Sequence, residues 1–404
     1  MTAPRVAMIS FHTCPVLAPG AGKVGGMNVY VRELSRHLGA MGIGVDIFTR
    51  RHPNQDTDVV TVGHNVRVIH LDGGPKDTEL ENLYPYVYPF TRNICHFQES
   101  EGTEYSLIHS HYWMSALAGR YLARKNTVRH VVTFHTLAEL KRRARAGEGE
   151  PLFRTRIEGD LMKSADQIIA SSLHEKDAMV QLYGAPSGRI EAVHCGVDLS
   201  LFKPLDMTEA RHRLGLNGEK VMLYVGRIEP LKGVEFLLRI TAIMDGDDPL
   251  KVLIVGGDPT QEQEVQRLAA LSEEMGVADV VEFVGRVNQD QLSTYFSAAD
   301  VCVVPSYYES FGLVALESMA CGTPVIASRV GGLPAVVKHG QNGYLLPWRC
   351  PERYADTLTM VMQNKGLRKS MSHAALEMAG TMGWDKVAVK VADIYQSLLR
   401  GAVT

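Results

Sequence analysis

No apolar run in this chain of 404 residues approaches the roughly 18 needed to cross a bilayer as a helix. A helical membrane span is therefore not expected. The N-terminus does not show the charged-then-apolar pattern of a secretory leader. Cys14, Cys95, Cys195, Cys302, Cys321 and Cys350 are scattered without a Cys-x-x-Cys pair, a pattern that suits reduced thiols. The formal charge is only -3 with 22% charged residues, so there is neither a basic stripe for nucleic acid nor an acidic tail. The expectation is a soluble cytoplasmic protein without a nucleic-acid partner.

What the sequence does hold is an alternation of short β-branched runs with helical periodicity. "RVAMIS", "GVDIFTR", "VRVIHL", "SLIHSHYW", "RHVVTFHT", "DQIIASS" and "IEAVHCGVD" read as strands, with "MNVYVRELSRHLGAMG" and "SALAGRYLARK" as helices among them. A Pro-containing connection follows, and the alternation restarts with "KVMLYVGRI", "LKVLIVGG", "DVVEFVGRV", "DVCVVPS", "TPVIAS" and "GYLLP". This predicts two successive α/β halves with doubly wound parallel sheets: residues 1–203 joined by a C-terminal helix at 384–404, and residues 204–383. Each half should bind at the carboxyl ends of its strands, and a shared ligand would sit in a cleft faced by both.

The match Gly20-Ala21-Gly22-Lys23-Val24-Gly25 to a dinucleotide fingerprint falls too far from the strand ending at Ser10 to form the tight turn that NAD binding needs. An oxidoreductase is therefore a weak reading. The richer segment is 301–328, where a strand ends at Pro305, a loop carries Glu309, and Gly312 opens a helix carrying Glu317. The amides of Ser310, Phe311, Gly312 and Leu313 are then orphan donors able to hold a diphosphate, and Glu317 can accept from a ribose diol. Arg227 and Lys232 follow the strand "KVMLYV" and supply two cations. Taken singly, each of these residues also reads as an ordinary solvated surface position.

"GRIEPLKG" with "ESFGLVALE" resembles the phosphate-cation and E-x7-E motifs of retaining, nucleotide-sugar-dependent glycosyltransferases of the GT-B fold. "GGMNVYVRELSRHL", "VDIFTR" and "IHSHYW" look like the D-inositol-3-phosphate glycosyltransferase branch, with sucrose-phosphate synthases as close relatives. The resemblance implies two Rossmann-like domains facing a cleft, the last helix crossing back to the first. It gives Arg227 and Lys232 the departing diphosphate, Glu317 the ribose, Glu309 the sugar hydroxyls, and Arg286 and Val287 the base. Gly25 and Gly26 would approach the phosphates, and His111 would lie near the anomeric carbon. A structural role for His111, or a metal pair with His109, are the other readings of "HSH".

For the acceptor, the resemblance implies phosphate contacts from Tyr112, Thr136 and Arg154, with Arg156 able to join, and ring contacts from His12 and Asn28. Lys23 stands where that branch has a loop acid, and Glu81 stands near a phosphate-binding lysine position; both depart from inositol phosphate. "LYPYVYPF" looks more like the sucrose-phosphate synthase side. The expected reaction is hexose transfer from a nucleotide sugar, UDP-linked by expectation, to a small phosphorylated polyol or sugar. A glycan, lipid or unphosphorylated acceptor, or an epimerase or sugar-nucleotide-binding protein, are the alternatives. No metal or other cofactor is expected in the chemistry, since the acidic runs at Asp56–Asp58 and Asp245–Asp248 lie away from the motifs. A structural cation elsewhere stays open.

Overall fold

The structure, a computed structural model, describes residues 4–17, 25–52, 57–144, 150–244, 248–257, 262–347 and 350–401. The chain forms two units, Met1–Cys195 together with Trp384–Thr404, and Gly196–Gly383. Residues 196–203, expected in the first unit, are held by the second: Ser293 Oγ donates to the Leu201 carbonyl at 2.6 Å, and the Phe202 ring lies 6.1 Å from that of Phe296.

In the first unit the strands are β1 (Arg5–Ile9), β2 (Gly44–Arg50), β3 (Val59–Gly63), β4 (Val66–Leu71), β5 (Leu107–His111), β6 (Arg129–Thr133), β7 (Gln167–Ala170) and β8 (Ile190–Ala192). They are ordered β3-β4-β2-β1-β5-β6-β7-β8. All neighbours are parallel except the edge strand β3, which runs antiparallel to β4. β1 reads as a nearly continuous apolar run because both faces are covered, whereas β5, equally buried, carries the polar His109, Ser110 and His111 toward its carboxyl end. The direction of winding reverses between β1 and β5, the point at which open parallel sheets of this kind commonly take their ligands.

The last helix, Trp384–Arg400, belongs to this unit. Its apolar face buries Trp384, Val387, Ala388, Val391 and Tyr395. Trp384 packs edge-on to Tyr30 of the helix Gly26–Ala40, with ring centroids 5.5 Å apart. Tyr395 Oη is 2.6 Å from His109 Nδ1 on β5. One helix thus closes the core from outside and meets the central sheet through a polar contact.

The second unit contains β9 (Lys220–Val225), β10 (Leu250–Val255), β11 (Val281–Gly285), β12 (Val301–Val304), β13 (Val325–Ser328) and β14 (Gly343–Leu346), ordered β11-β10-β9-β12-β13-β14 and parallel throughout. Here the winding reverses between β9 and β12. The loops carrying Lys232 and Glu309 leave these two strands, which is why residues so far apart in sequence meet.

Candidate functional site

In the second unit, the loop after β9 is pressed onto the end of β12. Gly233 adopts φ 74°, and a Cβ there would lie 2.1 Å from the Pro305 carbonyl oxygen, so only glycine allows the approach. The Tyr307 amide donates to the Leu231 carbonyl at 2.9 Å and fixes the register of the two loops. Lys232 Nζ then meets Glu309 Oε2 at 2.6 Å. Glu309 Oε1 also accepts from the Gly312 amide at 3.3 Å, where the helix Leu313–Ala320 begins. Behind this loop, the Gly332 amide donates to the Glu309 carbonyl at 2.9 Å, and a Cβ on Gly331 would lie 1.8 Å from that oxygen. Cation, carboxylate and helix N-terminus are therefore held together by backbone rather than by chance rotamers.

Arg227 stands apart from this pair, with Nη1 2.5 Å from Glu229 Oε1, while its carbonyl accepts from the buried Tyr224 hydroxyl at 2.7 Å. Arg286 pairs with Glu262 at 2.6 Å, and Val287 beside it is half-buried. Ser310 Oγ donates to Tyr308 Oη at 3.0 Å, Phe311 is buried and Leu313 half-buried.

Glu317 is only 7% exposed, and among the described residues no hydrogen-bond donor reaches its carboxylate. Burial pushes its pKa up to about 7. A buried carboxylate without donors is costly unless a ligand supplies them. The stability consequence has a definite sign. The unfolded chain loses this proton near 4.5, whereas the folded one keeps it to about 7, so stability is full at low pH, falls across that window and then levels off. Glu317→Gln is therefore expected to match the parent near pH 4 and exceed it by up to about 3 kcal/mol near pH 8. Denaturant melts at the two pH values check it, and an equal difference at both would remove the buried charge as the cause.

In the first unit, the carboxyl ends of β1, β5 and β6 bring His12, Tyr112, Thr136 and Arg154 together. The His12 ring lies 4.3 Å from the Tyr112 ring, and the Arg154 guanidinium lies 4.8 Å from the Tyr112 centroid. Tyr112 itself has φ 79°, an uncommon conformation for a non-glycine residue. Arg154, however, is not a free cation. It is 2% exposed, with Nε on Glu158 at 2.7 Å, Nη1 on Glu150 at 2.6 Å and Nη2 on the Thr136 carbonyl and hydroxyl at 3.0 and 3.1 Å.

Arg156 does not join it. Two positions along the helix Leu152–Ser164 is a turn of about 200°, so Arg156 is exposed on the other side. Asn28 is also turned inward. It is 2% exposed, and its Nδ2 donates to the Cys14 carbonyl at 2.6 Å and to Thr13 Oγ1 at 2.7 Å, bracing the loop after β1. Gly25 caps the helix that Gly26 begins, while Lys23, with Gly20 and Gly22, lies outside the described residues.

His111 is fully buried at the end of β5, its ring 4.2 Å from that of His109. Its Nδ1 is 2.9 Å from Nε2 of His135, a residue the motifs did not single out, which sits at φ 61° just beyond β6. Burial first, then the neighbouring His109 and His135, hold the His111 pKa well below the usual histidine range, and burial takes His135 down to about 3. The rings are thus neutral at pH 7. No described residue pairs with His111 Nε2, which leaves one buried ring nitrogen for a ligand. Of the acidic runs, Asp58 pairs with Arg51 and Asp248 lies 3.7 Å from Lys220, while Asp56 and residues 245–247 lie outside the described residues.

Two family models match in tandem: Glycosyltransferase Family 4 over residues 24–201 and Glycosyl transferases group 1 over residues 206–378. The chain is 40% identical to a D-inositol 3-phosphate glycosyltransferase of Streptomyces bingchenggensis, over 98% of this chain and 90% of that one. It is likewise 40% identical to D-inositol 3-phosphate glycosyltransferase 2 of Catenulispora acidiphila, over 97% and 94% of the two chains. Among solved structures, the sucrose-phosphate synthase of Thermosynechococcus elongatus is similar with a TM-score of 0.91 at 34% identity, covering 98% of this chain and all of the other. With both units matched and relatives aligned along nearly the whole chain, the protein belongs to the group 1 glycosyl transferases of the GT-B fold.

Proposed function

We propose that the protein transfers a hexose, glucose or N-acetylglucosamine, from a UDP-linked sugar to a small phosphorylated polyol or sugar, with retention at the anomeric carbon. The observation that carries this reading is the Lys232–Glu309 pair at the head of a helix whose next turn buries Glu317 without a donor. A departing nucleoside diphosphate gains negative charge as the sugar becomes oxocarbenium-like. Lys232, Arg227 and the first amides of the helix Leu313–Ala320 neutralise it. Glu317 accepts from the ribose diol, Glu309 turns from Lys232 to the sugar hydroxyls, and backbone at Arg286 and Val287 meets the base. In the first unit, His111 Nε2 meets a donor hydroxyl, and Gly25 and Gly26 let the backbone come close to the phosphates.

The names of the relatives favour a phosphorylated acceptor: one acts on D-inositol 3-phosphate, and the other is a sucrose-phosphate synthase. His12, Tyr112 and Thr136 form the acceptor surface, with Arg154 beneath supplying field and rigidity. The full engagement of Arg154 by Glu150, Glu158 and Thr136 favours a second reading, an unphosphorylated acceptor of similar size.

A panel of labelled nucleotide sugars, each offered with inositol 3-phosphate, a hexose 6-phosphate and their unphosphorylated forms, tests both readings. The expected result is a glycosylated phosphate ester from a UDP-sugar. Transfer only to unphosphorylated acceptors would establish the second reading, and no transfer or donor hydrolysis with any pair would overturn both.

A further inference from the structure

Cys14 Sγ, His70 and His52 offer ligand atoms that all lie within 4.8 Å of one another. Cys14 Sγ is 3.1 Å from His70 Nε2. We propose that these three side chains form a mononuclear transition-metal site, of the zinc class, at the carboxyl edge of the first unit's sheet. It stands independently of the glycosyl-transfer reading, since none of the three residues belongs to the donor machinery.

Parallel topology accounts for the convergence. Cys14 lies in the loop after β1, His52 just beyond β2, and His70 near the end of β4, pairing in register with Thr49. In the order β4-β2-β1 these strands are neighbours, so their carboxyl ends deliver three donors to one place from separated stretches of sequence. Tetrahedral zinc, with bonds of about 2.3 Å to sulfur and 2.0–2.1 Å to nitrogen, needs a sulfur–nitrogen separation of about 3.5 Å. The Cys14–His70 pair stands close to that, and His52 reaches it by a side-chain adjustment within the 4.8 Å spread.

The donor set chooses the metal. One thiolate and two imidazoles suit zinc or another borderline ion and do not suit magnesium or calcium, which demand oxygen. Cys14 and His70 are buried, whereas His52 is half-buried, leaving a fourth position reachable by water. The cationic neighbour, Arg51, is neutralised by Asp58 and by Asp72 at 3.0 Å, so an added divalent ion does not face an open positive charge. The His70 amide donates to the Asp58 carbonyl at 2.7 Å, and the Cys14 carbonyl holds Asn28, so both ends of the cluster are anchored. Binding requires the Cys14 proton to leave to solvent as the thiolate takes the metal.

The test uses the full chain, freed of metal with a chelator and desalted, then titrated with zinc against a chromophoric competitor, and separately with cobalt(II). One equivalent should bind at sub-micromolar affinity, and the cobalt form should show thiolate-to-metal charge-transfer absorption. Cys14→Ser should abolish that absorption. His52→Ala, at a half-buried position where folding is least at risk, should weaken zinc by about 10- to 100-fold. Absence of stoichiometric zinc binding in the parent, or affinity and spectrum unchanged in both variants, would overturn the site.

Discussion

Lys232→Ala is expected to lower kcat by about 10²-fold or more with little change in stability. Lys232 sits in an accessible loop and makes one ion pair, with Glu309, at 23% and 17% side-chain exposure. A pair of that kind is worth about 0.2–1 kcal/mol to the fold. Under the proposed reaction its catalytic weight would be larger, because the cation would meet charge that grows only as the leaving group departs, and such an electrostatic donor is typically worth about 2.7–4 kcal/mol. Glu309 pairs with Lys232 at 2.6 Å, and under the proposed reaction the cation would become available as sugar hydroxyls engage that carboxylate. Steady-state rates with the cognate pair, alongside a thermal melt, separate the two effects. A variant with near-normal kcat would take Lys232 out of the leaving-group role.

Arg154→Ala is expected to act first on the fold, costing about 3–5 kcal/mol and lowering the melting temperature by roughly 10 °C or more. The guanidinium is the shared partner of Glu158, which is wholly buried, and of Glu150, which also binds Lys141. Its loss would leave two carboxylates facing each other across a vacated space. Burial already pushes the Glu158 pKa up, and the nearby Arg154 charge opposes that shift. Arg154→Ala with Glu158→Gln should therefore recover part of the loss, giving a coupling energy a surface arginine would not show. If the single variant melts like the parent, Arg154 is not tied down as described, and its direct contact with an acceptor phosphate regains weight.

The strands and the grouping of Lys232, Glu309 and Gly312 were legible because each depends on local pattern: every quoted apolar run contains a strand, and these three residues are fixed by short loops leaving adjacent strands. Four kinds of feature were not. β3 is half-exposed, short and polar-flanked, so its pattern does not mark an antiparallel edge. His135 owes its place to a left-handed backbone turn after β6, which no side-chain spacing announces. Arg154 and Arg156 look equivalent as letters, yet helical geometry buries one among carboxylates and exposes the other. Cys14, His52 and His70 converge only once strand order is known.

The path of the backbone has a practical consequence for dissection. In the language of gene architecture, Gly196–Gly383 is an insertion cassette within a host that resumes at Trp384. The cassette's two ends are already stitched together, Val197 pairing with Gly383 and its amide donating to the Met382 carbonyl at 2.9 Å. Excised, it carries its own closure, as inserted domains with adjoining ends do. The host has no such independence: a stop codon just before Trp384 would strip the cover from Tyr30 and the tyrosine from His109 while leaving the cassette whole. Nonsense lesions just before Trp384 should therefore behave as defects of the N-terminal half.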